Sequence, residues 1–414
     1  MPRSTRPVSP QLQHAAPASV QELAGIVGRC DREGQKLAIQ GGNTLAGMGL
    51  PAQPTDLTLS TAALAGVVTY ERADLTIAAH AGTRLRSIAI LLAQQGQFVP
   101  FDAPHPAEAT LGGTLAAGWL GPRRHLYGKP RDYMLGSTVV LADGTIARAG
   151  GMVVKNVAGY DMSRLYVGSF GTLGVLVQAN LKTLVLPRRS RAFLARLPER
   201  TRSRAVAQVS SLEIRPSAAF WVRGFATAID GEDGTEGRML VVLEGSEALL
   251  ERATRDLRSA LGRAGVPETR VVDAGVRESL ERAIDACVAT LGERSVTYRI
   301  LGFPSQAEAR ALAIAELVER SELRAELLVD AMNGDVFVRV SDLDALALGA
   351  KIEGFDESLH ALEPGAIVVA SRHPHRSNLA VWGAVPAAID RMRALKARFD
   401  PNGTLNPGRF VGGI

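Results

Sequence analysis

Three glycines at Gly168, Gly171 and Gly174 lead directly into the apolar run Val175-Leu176-Val177, and no other feature constrains this chain as much. Glycine at three-residue spacing strips Cβ from one side of a turn and tolerates positive φ. Main-chain N–H groups can then come up against a phosphate or a flat ring. Such a loop, closing the segment VVKNVAGYDMSRLYVGSFGTLGV (153–175), suits a backbone that lies against a large ligand. Two more glycine turns precede it. Ile39-Gln-Gly-Gly-Asn-Thr44 follows the short apolar stretch LAIQ and sets phosphate-bonding side chains after paired glycines, and Ala109-Thr-Leu-Gly-Gly-Thr114 repeats the pair. One such turn is a common strand-to-loop connection. Three of them beside β-type sequence can converge on one extended diphosphate ligand.

At 414 residues the chain is long enough for two domains with buried cores. Its 46% hydrophobic and 21% charged residues are those of an ordinary soluble protein. The net charge of +5 comes from scattered arginines, without the Lys/Arg block that marks nucleic-acid contact. Cys30 and Cys287 lie far apart with no CxxC, so the chain alone is expected to make neither an iron–sulfur cluster nor a zinc site. No apolar stretch reaches the ~18–20 residues of a membrane span. GxSxG, HExxH and GxxxxGK[ST] are absent, which leaves hydrolase and P-loop chemistry without a foothold.

Residues 1–18 read as a polar, proline-bearing flexible leader, and Ser19 as the N-cap of a helix to about residue 30. Strands are expected near 36–40, 56–60, 65–70 and 75–81, and a helix over 83–95. Strand and turn signals then dominate from 98 to 187. At Pro187-Arg-Arg-Ser-Arg-Ala192 the character changes to alternating strands (near 192–197, 218–224, 238–244, 296–303, 325–330, 335–340) and helices (from about 201, 246–264, 275–291, 305–320). That alternation predicts a sheet covered on one face by helices, a ferredoxin-like cap in an α+β chain. The end of the chain reads as a helix followed by turns at Asp400-Pro-Asn-Gly403 and Asn406-Pro-Gly408.

Six ordered blocks carry a family resemblance over nearly the whole length: Gly41-Gly42-Asn43-Thr44, Ala109 to Thr114, Gly136 to Gly144, Lys155 to Asp161, Gly168 to Gly174, and Phe399-Asp-Pro-Asn-Gly-Thr-Leu-Asn-Pro-Gly408. They resemble the FAD-binding proteins of the vanillyl-alcohol oxidase and p-cresol methylhydroxylase type. Within that family, VVKNVAGYDMSRL, Trp382-Gly-Ala and the closing LNPGRF are most similar to the FAD-binding subunits of glycolate oxidase. The resemblance implies a two-part flavin-binding domain (19–187 and 384–414) with an inserted ferredoxin-like cap domain (188–383). It further implies FAD as cofactor and a part in oxidising a small 2-hydroxy acid, glycolate to glyoxylate, within a complex. The implied partners are a catalytic flavin subunit and an iron–sulfur subunit, in the cytoplasm or peripheral at the inner membrane through them. The alternatives are a self-sufficient FAD-dependent 2-hydroxyacid dehydrogenase and a non-catalytic flavin-fold scaffold subunit.

Carried onto this sequence, the resemblance gives the pyrophosphate to Gly41, Gly42, Asn43 and Thr44, and the flavin and ribityl chain to Thr110, Gly112, Gly113 and Thr114. Tyr160 and Asp161 would reach the adenine or flavin end. Gly168, Gly171 and Gly174 would admit the adenine-ribose side, the Val175 backbone would bond the ring system, and Asn406 would lie near the isoalloxazine. Relatives that tether FAD through the first loop use a histidine where this chain has Asn43, so noncovalent FAD follows unless His105 substitutes. Relatives that oxidise hydroxy acids carry H-x-G-D-G-x-x-H in the cap. Here Val329-Asp-Ala-Met-Asn-Gly-Asp-Val-Phe-Val338 has no histidine, although Gly334 and Asp335 keep a hairpin turn. The catalytic residues are therefore unassigned, with Arg299 the candidate because relatives present a carboxylate-binding arginine near there. His373-Pro-His375 is read as a loop, and no metal site is expected.

Overall fold

A computed structural model of the chain describes residues 13–153, 160–225, 237–266 and 269–414. The first elements are β1 (Gln13–Ala15), α1 (Val20–Arg32), β2 (Leu37–Gln40) and β3 (Leu57–Ser60). Ser19 starts α1 as expected: its backbone is extended and its hydroxyl accepts from the Glu22 N–H at 3.1 Å. The strands form a parallel sheet in the order β1-β3-β2. Gln13–Ala15 thus corrects part of the expected loose leader, because three extended residues cover an edge of β3 that would otherwise be open.

The chain continues through β4 (Val67–Glu71), β5 (Thr76–His80), α2 (Leu85–Ala93), β6 (Gln97–Phe98), α3 (Leu111–Ala117), α4 (Arg124–Tyr127), β7 (Met134–Val140), β8 (Ile146–Gly150), α5 (Ser163–Tyr166), β9 (Val175–Lys182) and β10 (Leu184–Val185). Five of these strands make an antiparallel sheet, β4-β5-β9-β7-β8. β9 serves two cores, with its alternation shifted by one residue at the irregularity against β7 between Leu176 and Gln178. Val175 and Val177 join Leu23, Val27 and Leu37 in one core, while Leu176, Ala179 and Leu181 join Leu85, Leu92, Leu111 and Leu115 in another. Burying Leu23 and Val27 fully contributes about 1.5–3 kcal/mol each.

Next come β11 (Arg189–Arg196), α6 (Glu199–Ser210), β12 (Ala218–Arg223), β13 (Arg238–Gly245), α7 (Glu247–Ala264), β14 (Thr269–Val272), α8 (Val276–Ala286), β15 (Ser295–Ile300), α9 (Pro304–Arg320), β16 (Arg324–Asp330), β17 (Val336–Ser341), α10 (Ala345–Leu362) and β18 (Ile367–Ser371). Their strands form one antiparallel sheet, β14-β11-β13-β12-β16-β17-β15-β18. Residues 341–383 had no assigned elements in the sequence reading, yet they supply α10 and an edge strand. The expectation of helices on one face also needs correcting. Met239, Val241 and Val338 pack under α6, α7, α9 and α10, whereas Leu240, Val242 and Phe337 face α8 together with Met48, Trp119 and Phe170 of the first half. Both faces are buried, which is why AAFWV, MLVVL and VFV are continuous apolar runs with no alternating polar residues.

Finally α11 (Ile389–Phe399) brings the chain back to the first half, and Leu405 makes a parallel bridge to Leu37 beside β2.

Candidate functional site

β2 delivers the chain into Gly41-Gly42 with no room behind it. A Cβ on Gly41 would sit 2.2 Å from Thr110 Oγ1, and one on Gly42 would sit 1.9 Å from the Glu108 carbonyl oxygen. The first two glycine loops are therefore packed back to back, and only glycine lets them approach so closely. Asn43 follows in the left-handed region at φ 60°. None of the N–H groups from Gly41 through Leu45 has an acceptor among the described residues. A run of unspent donors around a residue of positive φ forms an anion-binding concavity.

The second loop is not the expected turn but the start of α3. Thr110 caps it, accepting from the Gly113 N–H at 3.2 Å, and Gly118 ends it at φ 63°. The cap and the helix-favouring Leu115-Ala116-Ala117 outweigh the two glycines. Its first-turn donors are already used: Leu111 N–H bonds the Thr83 carbonyl (2.9 Å) and Gly112 N–H the Ala81 carbonyl (2.8 Å). This loop offers a small-residue wall and few free donors.

In the third loop Phe170 and Gly171 both take positive φ, 55° and 70°. Asn406 holds that turn. Its Nδ2 donates to the Phe170 carbonyl (2.6 Å) and its Oδ1 accepts from the Ile39 N–H (2.7 Å), so one side chain ties the tail to β2 and the third loop together. The tail is braced in turn by Lys396, which donates to the Thr172 and Leu405 carbonyls at 2.9 Å each, and by Asp400, which accepts from the Thr404 and Leu405 N–H groups at 2.8 Å. Burial holds the Lys396 ammonium below its ordinary pKa.

These segments enclose one cleft with an empty volume of about 790 Å³ counted to its open mouth. Gly41, Gly42, Asn43, Thr44, Thr110, Gly112, Gly113, Thr114, Gly171, Gly174, Val175 and Asn406 all line it. Gly168 does not; it packs against Gly118 at the end of α3. Tyr160, 91% exposed, and Asp161, ion-paired to Arg164 at 2.8 Å, also lie off the lining. Residues 154–159 of their block are outside the described residues. Sequence reasoning missed Gln40, Leu45, Ala46, Thr61, Phe170 and Arg409, which also line the cleft, as do Ile39, Ala116, Ala117 and Leu176. Arg409 directly follows the Asn406-Pro-Gly turn, so its position relative to Asn406 was the available signal.

His105 is not in the cleft either. It sits against α8, with its N–H on Asp285 Oδ1 (2.6 Å) and Nδ1 3.3 Å from Oδ2, and burial raises the Asp285 pKa. His373 to His375 leads into a 3-10 turn, Pro374–Asn378. Arg299 is 3% exposed at the interface of the eight-stranded sheet and the 119–124 loop. Its Nε bonds Asp335 (3.0 Å), its Nη2 bonds the Leu120 carbonyl (2.7 Å), and Trp119 and Phe337 stack on it at 4.9 and 5.1 Å. Asp335 also pairs with Arg124 at 2.7 Å, and Asp330 lies 3.9 Å from Arg124. Burial, then the Asp335 charge, pushes Asp330 up to about 7. In this arrangement Arg299 is held by Asp335, the Leu120 carbonyl and two aromatic rings, and at 3% exposure is closed to a ligand.

Residues 12–161 match the family described as FAD binding domain. The chain is 36% identical over 237 residues to the glycolate oxidase subunit GlcE of Escherichia coli (strain K12), covering 55% of this chain and 65% of that protein. It is 27% identical over 436 residues to the glycolate oxidase subunit GlcD of Bacillus subtilis (strain 168), covering 95% of this chain and 88% of that one. Among solved structures, p-cresol methylhydroxylase matches with a TM-score of 0.71 over 96% of this chain and 88% of its own, at 15% identity. The chain has the p-cresol methylhydroxylase fold, with a sequence similar to FAD binding domains over residues 12–161. The match to the Escherichia coli subunit leaves about a third of that protein uncovered.

The donor set fits such a cofactor. A dinucleotide needs main-chain N–H groups for its diphosphate and small residues where its rings lie against backbone, and the cleft supplies both at Gly41 to Leu45 and at Gly112, Gly113 and Gly171. No helix among the described residues is long and apolar enough to cross a membrane.

Proposed function

We propose that this chain is the FAD-binding subunit of a glycolate oxidase complex, holding FAD noncovalently beside a catalytic flavin subunit and an iron–sulfur subunit. The observation that carries the cofactor site is the row of unspent N–H donors from Gly41 to Leu45, facing a cleft that closes around Asn406. These donors take the diphosphate, with Asn43 and Thr44 adding side-chain bonds. Thr110, Gly112, Gly113 and Thr114 form the wall beside the ring system, and Gly171, Gly174 and Val175 the opposite wall. Tyr160, Asp161 and Gly168 have a supporting place outside that lining. Bound FAD would accept two electrons and release them singly to a carrier. The flavin-binding unit comprises 19–187 with 384–414, and 188–383 is the inserted cap.

Two findings favour a shared rather than self-sufficient activity. Two of the similar proteins are named as subunits of glycolate oxidase, and the cap stretch 329–338 is occupied by the Arg299–Asp335–Arg124 ion pairs. The complex is placed in the cytoplasm or at the inner membrane surface through its partners. Purifying the tagged chain alone and from its native host, where partners can be retained, tests this. A yellow protein that releases its flavin on acid precipitation, is not reduced by glycolate alone, and co-purifies with a second flavoprotein and a cysteine-rich subunit is expected. Reduction of the isolated chain by glycolate would overturn the shared activity, and flavin retained in the acid pellet would overturn noncovalent binding.

A further inference from the structure

At the Ala46–Leu50 end of the cleft two half-buried arginines have no carboxylate partner among the described residues. Arg409 lines the cleft and donates to the Leu50 carbonyl (2.7 Å) and the Met48 carbonyl (2.9 Å). Arg376 grips the same loop from behind, donating to the Ala46 carbonyl (3.4 Å) and the Gly49 carbonyl, and its Nε is buried with no acceptor among the described residues. Burial, and then the Arg409 charge, brings Arg376 down to about 10; burial also lowers Arg409. Carbonyl dipoles solvate a guanidinium but do not cancel its charge, and like charges held together out of water are costly. Elsewhere Arg123 pairs with Asp102 and Glu244, Arg299 with Asp335, and Arg310 with Glu363. Beside the cleft no carboxylate among the described residues pairs with Arg376 or Arg409.

We propose that Arg409, backed by Arg376, forms an oxyanion seat at this end of the cleft, taking either a phosphate of the dinucleotide or the carboxylate of a small hydroxy acid. Both ligands present paired oxygens to the planar guanidinium fork. Arginine has five N–H donors and Arg409 spends two on carbonyls, which leaves three for a ligand. The backbone beneath it is fixed: Trp382 Nε1 donates to the Arg409 carbonyl (3.2 Å), and Trp382 packs edge-on against Phe170 and Phe410 at 5.0 and 5.3 Å. The phosphate source rests on the proposed FAD site; the seat itself does not.

The test compares the full chain with Arg409→Gln, Arg376→Gln and Arg409→Lys. Melting of the apoprotein is followed with inorganic phosphate and with oxalate, and FAD, riboflavin and oxalate affinities are read from flavin fluorescence and absorbance. A seat for the dinucleotide predicts that Arg409→Gln loses at least about tenfold in FAD affinity while riboflavin binds unchanged. A seat for a carboxylate predicts unchanged FAD affinity and an about tenfold loss for oxalate on the FAD-loaded protein. In either case Arg409→Lys, which keeps the charge, recovers part of the loss, and Arg376→Gln shrinks the effect of the anion on melting. If the wild-type chain takes up no FAD, the cofactor reading fails by itself, while phosphate and oxalate melting still decide the seat. Glutamine variants that bind all four probes as the wild type does would overturn it.

Discussion

Replacing Asp335 by alanine separates a structural ion pair from a ligand-binding one. Asp335 is 1% exposed and receives Arg299 Nε at 3.0 Å and Arg124 Nη2 at 2.7 Å. Its removal leaves the Arg299 guanidinium, 3% exposed between Trp119 and Phe337, with one carbonyl as its only remaining acceptor among the described residues. Breaking one side of a buried pair costs about 3–5 kcal/mol, most of it the charge left behind. Asp330 moderates that loss, because without the neighbouring Asp335 charge it ionises more readily and can face Arg124. An outcome of about 3 kcal/mol is therefore expected in urea unfolding followed by tryptophan fluorescence, where Trp119 reports directly on the stack. The double variant Arg299→Met, Asp335→Leu should lose less than Asp335→Ala, since the buried Arg299 charge is gone and only Arg124 remains, within reach of Asp330. An Asp335→Ala protein within about 1 kcal/mol of wild type would refute the structural assignment, and a changed glycolate response at unchanged stability would return Arg299 and Asp335 to a ligand-binding role.

Gly42→Ala drives a Cβ into the Glu108 backbone, so FAD affinity measured by fluorescence should fall by about 100-fold or more, whereas Gly25→Ala, with open space around it, should leave affinity unchanged and raise the melting temperature. Asn406→Asp keeps an acceptor for the Ile39 N–H but sets a carboxylate oxygen against the Phe170 carbonyl; calorimetry should show a loss of about 1–3 kcal/mol and weaker FAD binding. For Asp330 the folded pKa of about 7 lies above the unfolded value of 3.8, so between those limits only the folded chain keeps the proton and stability falls as pH rises. Asp330→Asn should flatten that part of a stability profile taken from pH 4 to 7.

The cleft was legible because its demands are unusual in sequence. Gly41-Gly42 and Gly171 occupy places where a side chain would collide or the backbone must turn left-handed, and such positions announce themselves as glycine. The helix at Leu111–Ala117 was hidden by the same reasoning, since Gly112-Gly113 reads as a turn until the Thr110 cap is weighed against it. Two-sided burial of the large sheet was visible in the unbroken apolar runs of β12, β13 and β17, but α8 lies between short strands and gives no sign of which face it covers. Tyr160 and Asp161 follow a stretch rich in small residues and share its pattern, yet charge pairing with Arg164 keeps Asp161 at the surface. What the sequence withholds is long-range: that Asn406 meets Ile39, or Arg124 meets Asp335, depends on which surfaces the sheets bring together.

The bridge between Leu405 and Leu37 also sets an order on biosynthesis. A growing polypeptide exposes its glycine turns early, but the strut that joins them comes late, since Asn406 is made 367 residues after Ile39. Loading with cofactor must then be among the last events of maturation, and nascent chains have to keep the unfinished fissure shielded until the tail is threaded home.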